Sequence, residues 1–111
     1  MNASSPRRMN LSTQVAQRAD DRRSFVTRQI AGETLIMPVS GHVMDLQSIF
    51  VLNPVASRIW DLLGAPTTAD LIADTIAAEF AVSRQHAADD VLEFLETLGH
   101  RGLTQQLTEG A

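Results

Sequence analysis

Several features are missing from this chain of 111 residues, and each absence excludes a class of site. There is no cysteine, which excludes disulfides, thiolate metal ligands and a cysteine nucleophile. No segment approaches the roughly 18 consecutive apolar residues of a membrane-spanning helix. Arg7 and Arg8 are not followed by the apolar run of a signal peptide. Together these absences predict a cytoplasmic protein with no membrane partner.

Lysine is also absent, and the nine arginines are unevenly distributed. Residues 1–28 hold six arginines and two aspartates, whereas residues 29–111 hold three arginines and eleven carboxylates. The part of the chain with most apolar residues is therefore acidic. An acidic domain is a poor match for a phosphate backbone, so no nucleic acid is expected as a partner.

The length fits one domain, since a single core typically organises about 100–200 residues. Residues 1–23 are polar and basic and are predicted to be a flexible tail, with a short helix from Leu11 to Arg18 as the alternative. Residues 24–105 are predicted to form the domain, and residues 106–111 a C-terminal tail.

Turn and cap signals divide the domain into strands followed by helices. Apolar segments on either side of Gly32 predict a hairpin, and residues 43–52 predict a third strand. Asn53-Pro54, Thr67 and Ser83 are helix-start signals, each followed by apolar residues at helical spacing. The predicted fold class is α+β, a small winged-helix-like domain in which a three-stranded antiparallel sheet is followed by three helices.

The third strand has an unusual pattern. A sheet with one solvated face should have polar residues at alternate positions, but Ile49 and Val51 break that alternation. A covering helix or the tail is one explanation. The other is an open strand edge beside a groove, to which an extended peptide adds as a further strand.

The motif that follows this strand resembles the PqqD-like family. Its residues are a Leu-Asn pair, several small residues, an Ile-Trp pair and two leucines, which here are Leu52, Asn53, Ile59, Trp60, Leu62 and Leu63. Further matches follow in order, namely Leu71 and Ile72, Glu79 and Phe80, Asp90 and Val91, Phe94 and Leu95, and the closing Arg101, Gly102 and Leu103. The ordered set covers about residues 25–104.

This resemblance implies a recognition element for ribosomally made, post-translationally modified peptides (a RiPP recognition element). Such a domain acts as a peptide chaperone in natural product biosynthesis. It is not an enzyme and needs no cofactor. It binds the leader of a precursor peptide by strand addition and presents it to a separate modifying enzyme, for example a radical SAM protein. Carried onto this chain, the peptide-binding residues are Val43, Asp45, Leu46, Gln47, Ile49, Val51, Asp90, Val91, Phe94, Leu95 and Leu98.

Other candidate sites have simpler explanations. His42, His86 and His100 lie too far apart in the predicted elements to share a metal. The carboxylates of the third helix are typical of a solvated face, although those beside a groove would favour a leader that carries Lys or Arg. Trp60 is expected to be a core anchor. The alternative functions are a winged-helix DNA-binding module and a structural module that forms a homodimer through the third-strand edge.

Overall fold

Seven strands and three helices make up the part of the chain that the structure describes. The structure is a computed structural model, and it describes residues 9–17, 24–40, 43–44 and 49–107. In chain order the elements are β1 (Gln14–Gln17), β2 (Ser24–Ile30), β3 (Glu33–Ser40), β4 (Val43–Met44), β5 (Phe50–Leu52), α1 (Pro54–Leu62), β6 (Thr67–Thr68), α2 (Ala69–Phe80), α3 (Arg84–His100) and β7 (Thr104–Leu107). The predicted α+β class, with a small antiparallel sheet before three helices, is confirmed.

Strands β2 and β3 form the predicted hairpin. Their register runs from Ser24 opposite Val39 to Ile30 opposite Glu33, and two residues close the loop. Ala31 and Gly32 both have positive φ, 54° and 84°. This is the conformation of a type I′ turn, whose twist matches that of the flanking strands.

The third strand is interrupted, which corrects the prediction of one strand over residues 43–52. Val39 lies opposite Met44, whereas Ile36 lies opposite Phe50. Three residues along β3, from Val39 to Ile36, therefore correspond to a step of six along the partner, from Met44 to Phe50, so the register shifts by three. Pro38 lies in this gap and has no N–H to donate to a ladder. Because the shift is odd, the expected alternation of faces does not continue from β4 into β5.

Helices α1 and α3 begin at the predicted capping residues, whereas α2 begins one residue later than predicted, with Thr68 in place of Thr67 as its cap. The Asn53 side chain accepts the N–H of Ala56 at 2.8 Å, and Pro54 occupies the first turn of α1. The side chain of Ser83 accepts the N–H of His86 at 3.1 Å at the start of α3. These caps satisfy backbone donors that have no partner within a helix.

The core lies between the inner face of the β2–β3–β5 sheet and the three helices. Trp60 is 3% exposed and meets Phe25 edge to face, with 5.2 Å between ring centroids. The prediction of Trp60 as a core anchor is confirmed. The largest side chains that are almost completely buried are Ile36, Leu63, Ile72, Leu95, Leu98, Val15, Val91 and Thr34.

A second sheet contains a segment that was predicted to be tail. β1 is its central strand, pairing with β6 on one side and with β7 on the other. Val15 is completely buried, and the N–H of Gln17 donates to the carbonyl of Leu63 at 2.9 Å. Residues 14–17 are thus part of the fold, neither tail nor helix. β7 likewise extends to Leu107, two residues into the predicted C-terminal tail.

Candidate functional site

The site is built around β5, which is paired on one side only. β3 supplies that partner, and no strand among the described residues pairs with the opposite edge of β5. An unpaired edge presents backbone N–H and C=O groups to any extended chain that approaches it. Two of the large apolar residues at this edge are exposed, Ile49 by 36% and Val51 by 60%.

The two faces of β5 have different surroundings. Phe50 and Leu52 are cross-strand neighbours of Ile36 and Thr34, which are buried on the side of the helices. Val51 pairs with Leu35 and therefore lies on the opposite, outer face. Val51 is exposed on this outer face and is not among the residues that line the groove described below, so its predicted contact with a peptide stays a prediction.

Phe50 is the residue of β5 that connects the strand to the end of α3. Its ring lies 5.0 Å from the guanidinium carbon of Arg101, directly after α3. A cation over an aromatic ring stabilises such a contact electrostatically. The sequence analysis did not predict Phe50 as a site residue. The signal for it is the alternation of the strand, which places Phe50 on the same face as Leu52.

The residues predicted on α3 divide into two groups. Leu95 and Leu98 are completely buried and belong to the core. Val91 is 1% exposed and also packs in the core, but its side chain contributes to the floor of the groove described next. Asp90 is exposed and Phe94 is partly buried. These two line a groove of about 370 Å³ between the three helices.

The groove is mainly apolar and lies beside the end of β5. Val55 and Ile59 of α1 and Phe80 of α2 line it opposite α3, together with Asn53, the residue that follows β5. The strand edge and the groove therefore meet at residues 52–53. The contributions of α1 and α2 were missed at the sequence level, because an apolar helix face has the same spacing whether it lines a groove or fills a core.

One close side-chain contact borders the groove on α3. His86 Nε2 lies 3.0 Å from Asp90 Oδ2, and both side chains are well exposed. Asp89 accepts a hydrogen bond from Gln85 at 3.0 Å one turn of the helix away. Of the predicted carboxylate rim, Asp90 is the member that lines the groove.

Two arginine clusters fix the helices that form the groove walls. Arg58 of α1 donates two hydrogen bonds to Glu79 of α2, at 2.9 and 3.1 Å. These bonds lower the pKa of Glu79 and raise the pKa of Arg58. Arg84, at the start of α3, binds Asp74 at 2.6 Å and also Asp70, and the hydrogen bond with Asp74 raises its pKa. A carboxylate that accepts two hydrogen bonds from one guanidinium is held in a defined orientation.

The remaining predicted contact residues are Val43, Asp45, Leu46 and Gln47. Val43 lies in β4, whereas Asp45, Leu46 and Gln47 are outside the described residues, as is His42. No group of three or more potential metal ligands occurs among residues 9–17, 24–40, 43–44 and 49–107. Within the same ranges, no helix is both long and apolar enough to cross a membrane.

Comparisons with known proteins agree with the resemblance described above. The family model of coenzyme PQQ synthesis protein D (PqqD) matches residues 41–103, more than half of the chain. The solved structure of TbiB1 in complex with the TbiA(beta) leader peptide is similar in fold, with a TM-score of 0.59 and 28% sequence identity. The match covers 81% of this chain and 96% of the TbiB1 chain. A search of curated proteins found no match. On the family match, this chain belongs to the PqqD family.

Proposed function

We propose that this protein binds the leader segment of a ribosomally made precursor peptide and presents it to a separate modifying enzyme, for example a radical SAM protein. The leader adds as a strand to the free edge of β5. The observation that carries the proposal is that this edge, unpaired by any described strand, runs into the apolar groove at Asn53. The leader bound in the TbiB1 structure supports it.

In this proposal, affinity comes from two kinds of contact. Main-chain hydrogen bonds to β5 hold the peptide in register without reading its sequence. An apolar leader side chain enters the groove beside Phe94, and Asp90 at the rim favours a basic neighbour. We expect a dissociation constant between about 10 nM and about 10 μM, equivalent to about −11 to −7 kcal/mol.

The role we propose is non-catalytic and cytoplasmic. The exposed carboxylates of α3 lie on an open helix face, where all are in contact with solvent. Acid–base catalysis by two carboxylates requires that their surroundings differ. The same acidic face opposes a DNA-binding role, because a recognition helix needs basic or amide side chains toward the bases. The absence of cysteine agrees with a reducing compartment.

Binding is tested by calorimetric titration with synthetic peptides that correspond to the N-terminal halves of short open reading frames beside the gene. Replacing Ile49 by Asp places a charge at the strand edge and should weaken binding by about 2 kcal/mol, or about 30-fold. Leu71→Asp is the control, since Leu71 is 58% exposed on α2 and does not line the groove. Equal affinity of the Ile49→Asp variant and the parent would contradict the proposed position of the leader.

Two further measurements separate the steps of the proposal. Amide chemical shifts should change along residues 43–52 and 84–101 when a leader binds, whereas changes confined to the second sheet would refute strand addition. Presentation is tested with the modifying enzyme encoded nearby. Its precursor should be modified at least about tenfold faster with the parent chain than with the Ile49→Asp variant at concentrations below the dissociation constant.

A further inference from the structure

The outer face of the β2–β3–β5 sheet carries several apolar side chains, of which Ile30 and Val51 are exposed and Val26, Leu35 and Met37 are partly exposed. Cross-strand pairing and the burial of Thr34 and Ile36 on the inner face identify the residues that point outward. They are Val26, Arg28 and Ile30 from β2, Glu33, Leu35 and Met37, which belong to β3, and Val51 from β5. Five of these seven are apolar, and Ile30 and Val51 are 58% and 60% exposed. An antiparallel sheet with one solvated face normally has polar residues there.

The rest of this chain has little that could cover the face. The segments outside the described residues are polar, and Met1 and Leu46 are their only large apolar residues. The two charged residues of the face, Arg28 and Glu33, have no ion-pair partner among the described residues. Arg58 and Arg84, by contrast, are both paired with carboxylates.

The arrangement of these side chains is self-complementary. Leu35 is central, with Arg28 and Val51 beside it on the neighbouring strands and Met37 and Glu33 beside it along β3. Consider a two-fold axis that lies in the interface plane, passes through Leu35 and runs at about 45° to the strands. This axis places the strands of a second copy across those of the first, so that the across-strand direction of one copy lies over the along-strand direction of the other. Arg28 then faces Glu33 of a second copy, Val51 faces Met37, and Leu35 faces its own equivalent. For these contacts to form, the distance between neighbouring strands, about 4.8 Å, must match the distance between alternate residues along a strand, about 6.7 Å. The two distances differ by about 2 Å.

We propose that this outer face is an interface between two copies of the chain, packed with their strands nearly perpendicular. Orthogonal packing is one of the two standard arrangements of facing sheets. Ile30 lies on the same diagonal and meets its own equivalent, so Leu35, Val51, Met37 and Ile30 all face apolar side chains, whereas Val26 lies at the margin opposite Asn53. The proposal does not rest on the proposed leader binding, because a leader would use the edge of the sheet and the second copy its outer face.

The size of the face sets the expected strength of the dimer. Three strands are about 14 Å wide and β2 is about 23 Å long, which gives a footprint of about 300 Å² per copy. Stable interfaces bury about 800 Å² per partner. We therefore expect a weak dimer, with a dissociation constant between about 10 μM and about 1 mM.

Sedimentation equilibrium of the full chain from about 20 μM to about 2 mM tests the proposal, because mass action makes a weak dimer visible only at high concentration. Ile30→Asp, at the exposed hairpin end, should weaken the dimer at least tenfold, whereas Leu71→Asp on α2 should leave it within about twofold. Arg28→Glu and Glu33→Arg should each weaken it by about threefold or more, and the double variant should recover the parent value. Far-ultraviolet circular dichroism checks that each variant is folded.

Three results would overturn the proposal. The first is a chain that remains monomeric at the highest concentration, since the outer face would then not be an interface between copies. The second is a dimer that Ile30→Asp does not weaken. The third is a double charge exchange that fails to restore association, since the predicted contact of Arg28 with Glu33 would then be absent. An edge-to-edge dimer through β5 would be insensitive to Arg28, which lies on the opposite edge strand.

Discussion

Replacing Val15 by Ala tests whether the N-terminal strand is part of the cooperative core. Val15 is completely buried at the centre of the β6–β1–β7 sheet. The substitution removes two methyl groups, worth about 1.6 kcal/mol at about 0.8 kcal/mol each. A residual cavity of about 50 Å³ adds up to about 1.2 kcal/mol at about 24 cal/mol per Å³. The free energy of unfolding should therefore fall by about 2–3 kcal/mol.

Urea unfolding followed by the fluorescence of Trp60 measures this loss. With a slope of about 1–3 kcal/mol per molar urea, the midpoint should move down by about 1 M. Val82→Ala is the matched control, because Val82 is 36% exposed and the same methyl groups are removed from a half-solvated position. If Val15→Ala shifts the midpoint no more than Val82→Ala does, β1 is not part of the cooperative unit. The domain would then begin near residue 24, as the sequence predicts.

Three further outcomes follow from contacts in the structure. Asn53→Ala removes the cap of α1 and should lower the free energy of unfolding by about 1 kcal/mol in the same urea assay. Glu79 has a lowered pKa through its bond to Arg58, so the stability it adds is complete above its unfolded pKa and is lost as pH falls through the folded value. Thermal unfolding between about pH 5 and about pH 3 should consequently be less pH-dependent for Glu79→Gln than for the parent. Trp60 is 3% exposed, so a saturating leader should leave its emission maximum unchanged.

Local signals predicted the hairpin and the caps of α1 and α3 correctly and placed the start of α2 within one residue, because each depends on residues close together in sequence. The Gly32 turn closes β2 on β3, and Asn53 and Ser83 accept backbone N–H groups three residues ahead. Such interactions hardly depend on the rest of the fold. The domain boundary and the third strand depend on distant partners, and both were only partly predicted.

Strand β1 shows why the domain boundary was predicted only in part. Its sequence is polar except for Val15 and Ala16, so a single apolar side chain does not distinguish a strand from a tail. Its partners lie about 50 and about 90 residues away in β6 and β7, and those pairings are not visible in the local pattern. The register shift in the third strand has the same origin, since it depends on how residues 43–44 and 50–52 each pair with β3 rather than on their own pattern.

The binding residues on α3 show a different limit. An apolar stripe predicts a buried helix face but does not reveal which members contact the core and which line a groove. Leu95 and Leu98 belong to the core alone, whereas Val91 and Phe94 line the groove. The family resemblance pointed to α3, which does line a groove, and only the packing of α1 and α2 against it separates the two groups.

The two proposed partners use different parts of the same strand. A leader would take the free backbone edge of β5, whereas a second copy would take the outward side chain of Val51. An added strand widens the sheet by about 4.8 Å and so enlarges the face available to the second copy. Leader binding and face-to-face dimerisation should therefore reinforce each other, and by linkage each must raise the affinity of the other by the same factor. A dimer formed through the β5 edge would instead be weakened by a leader, because two strands cannot occupy one edge. The direction in which a leader shifts the dimer equilibrium consequently identifies the surface through which the copies meet.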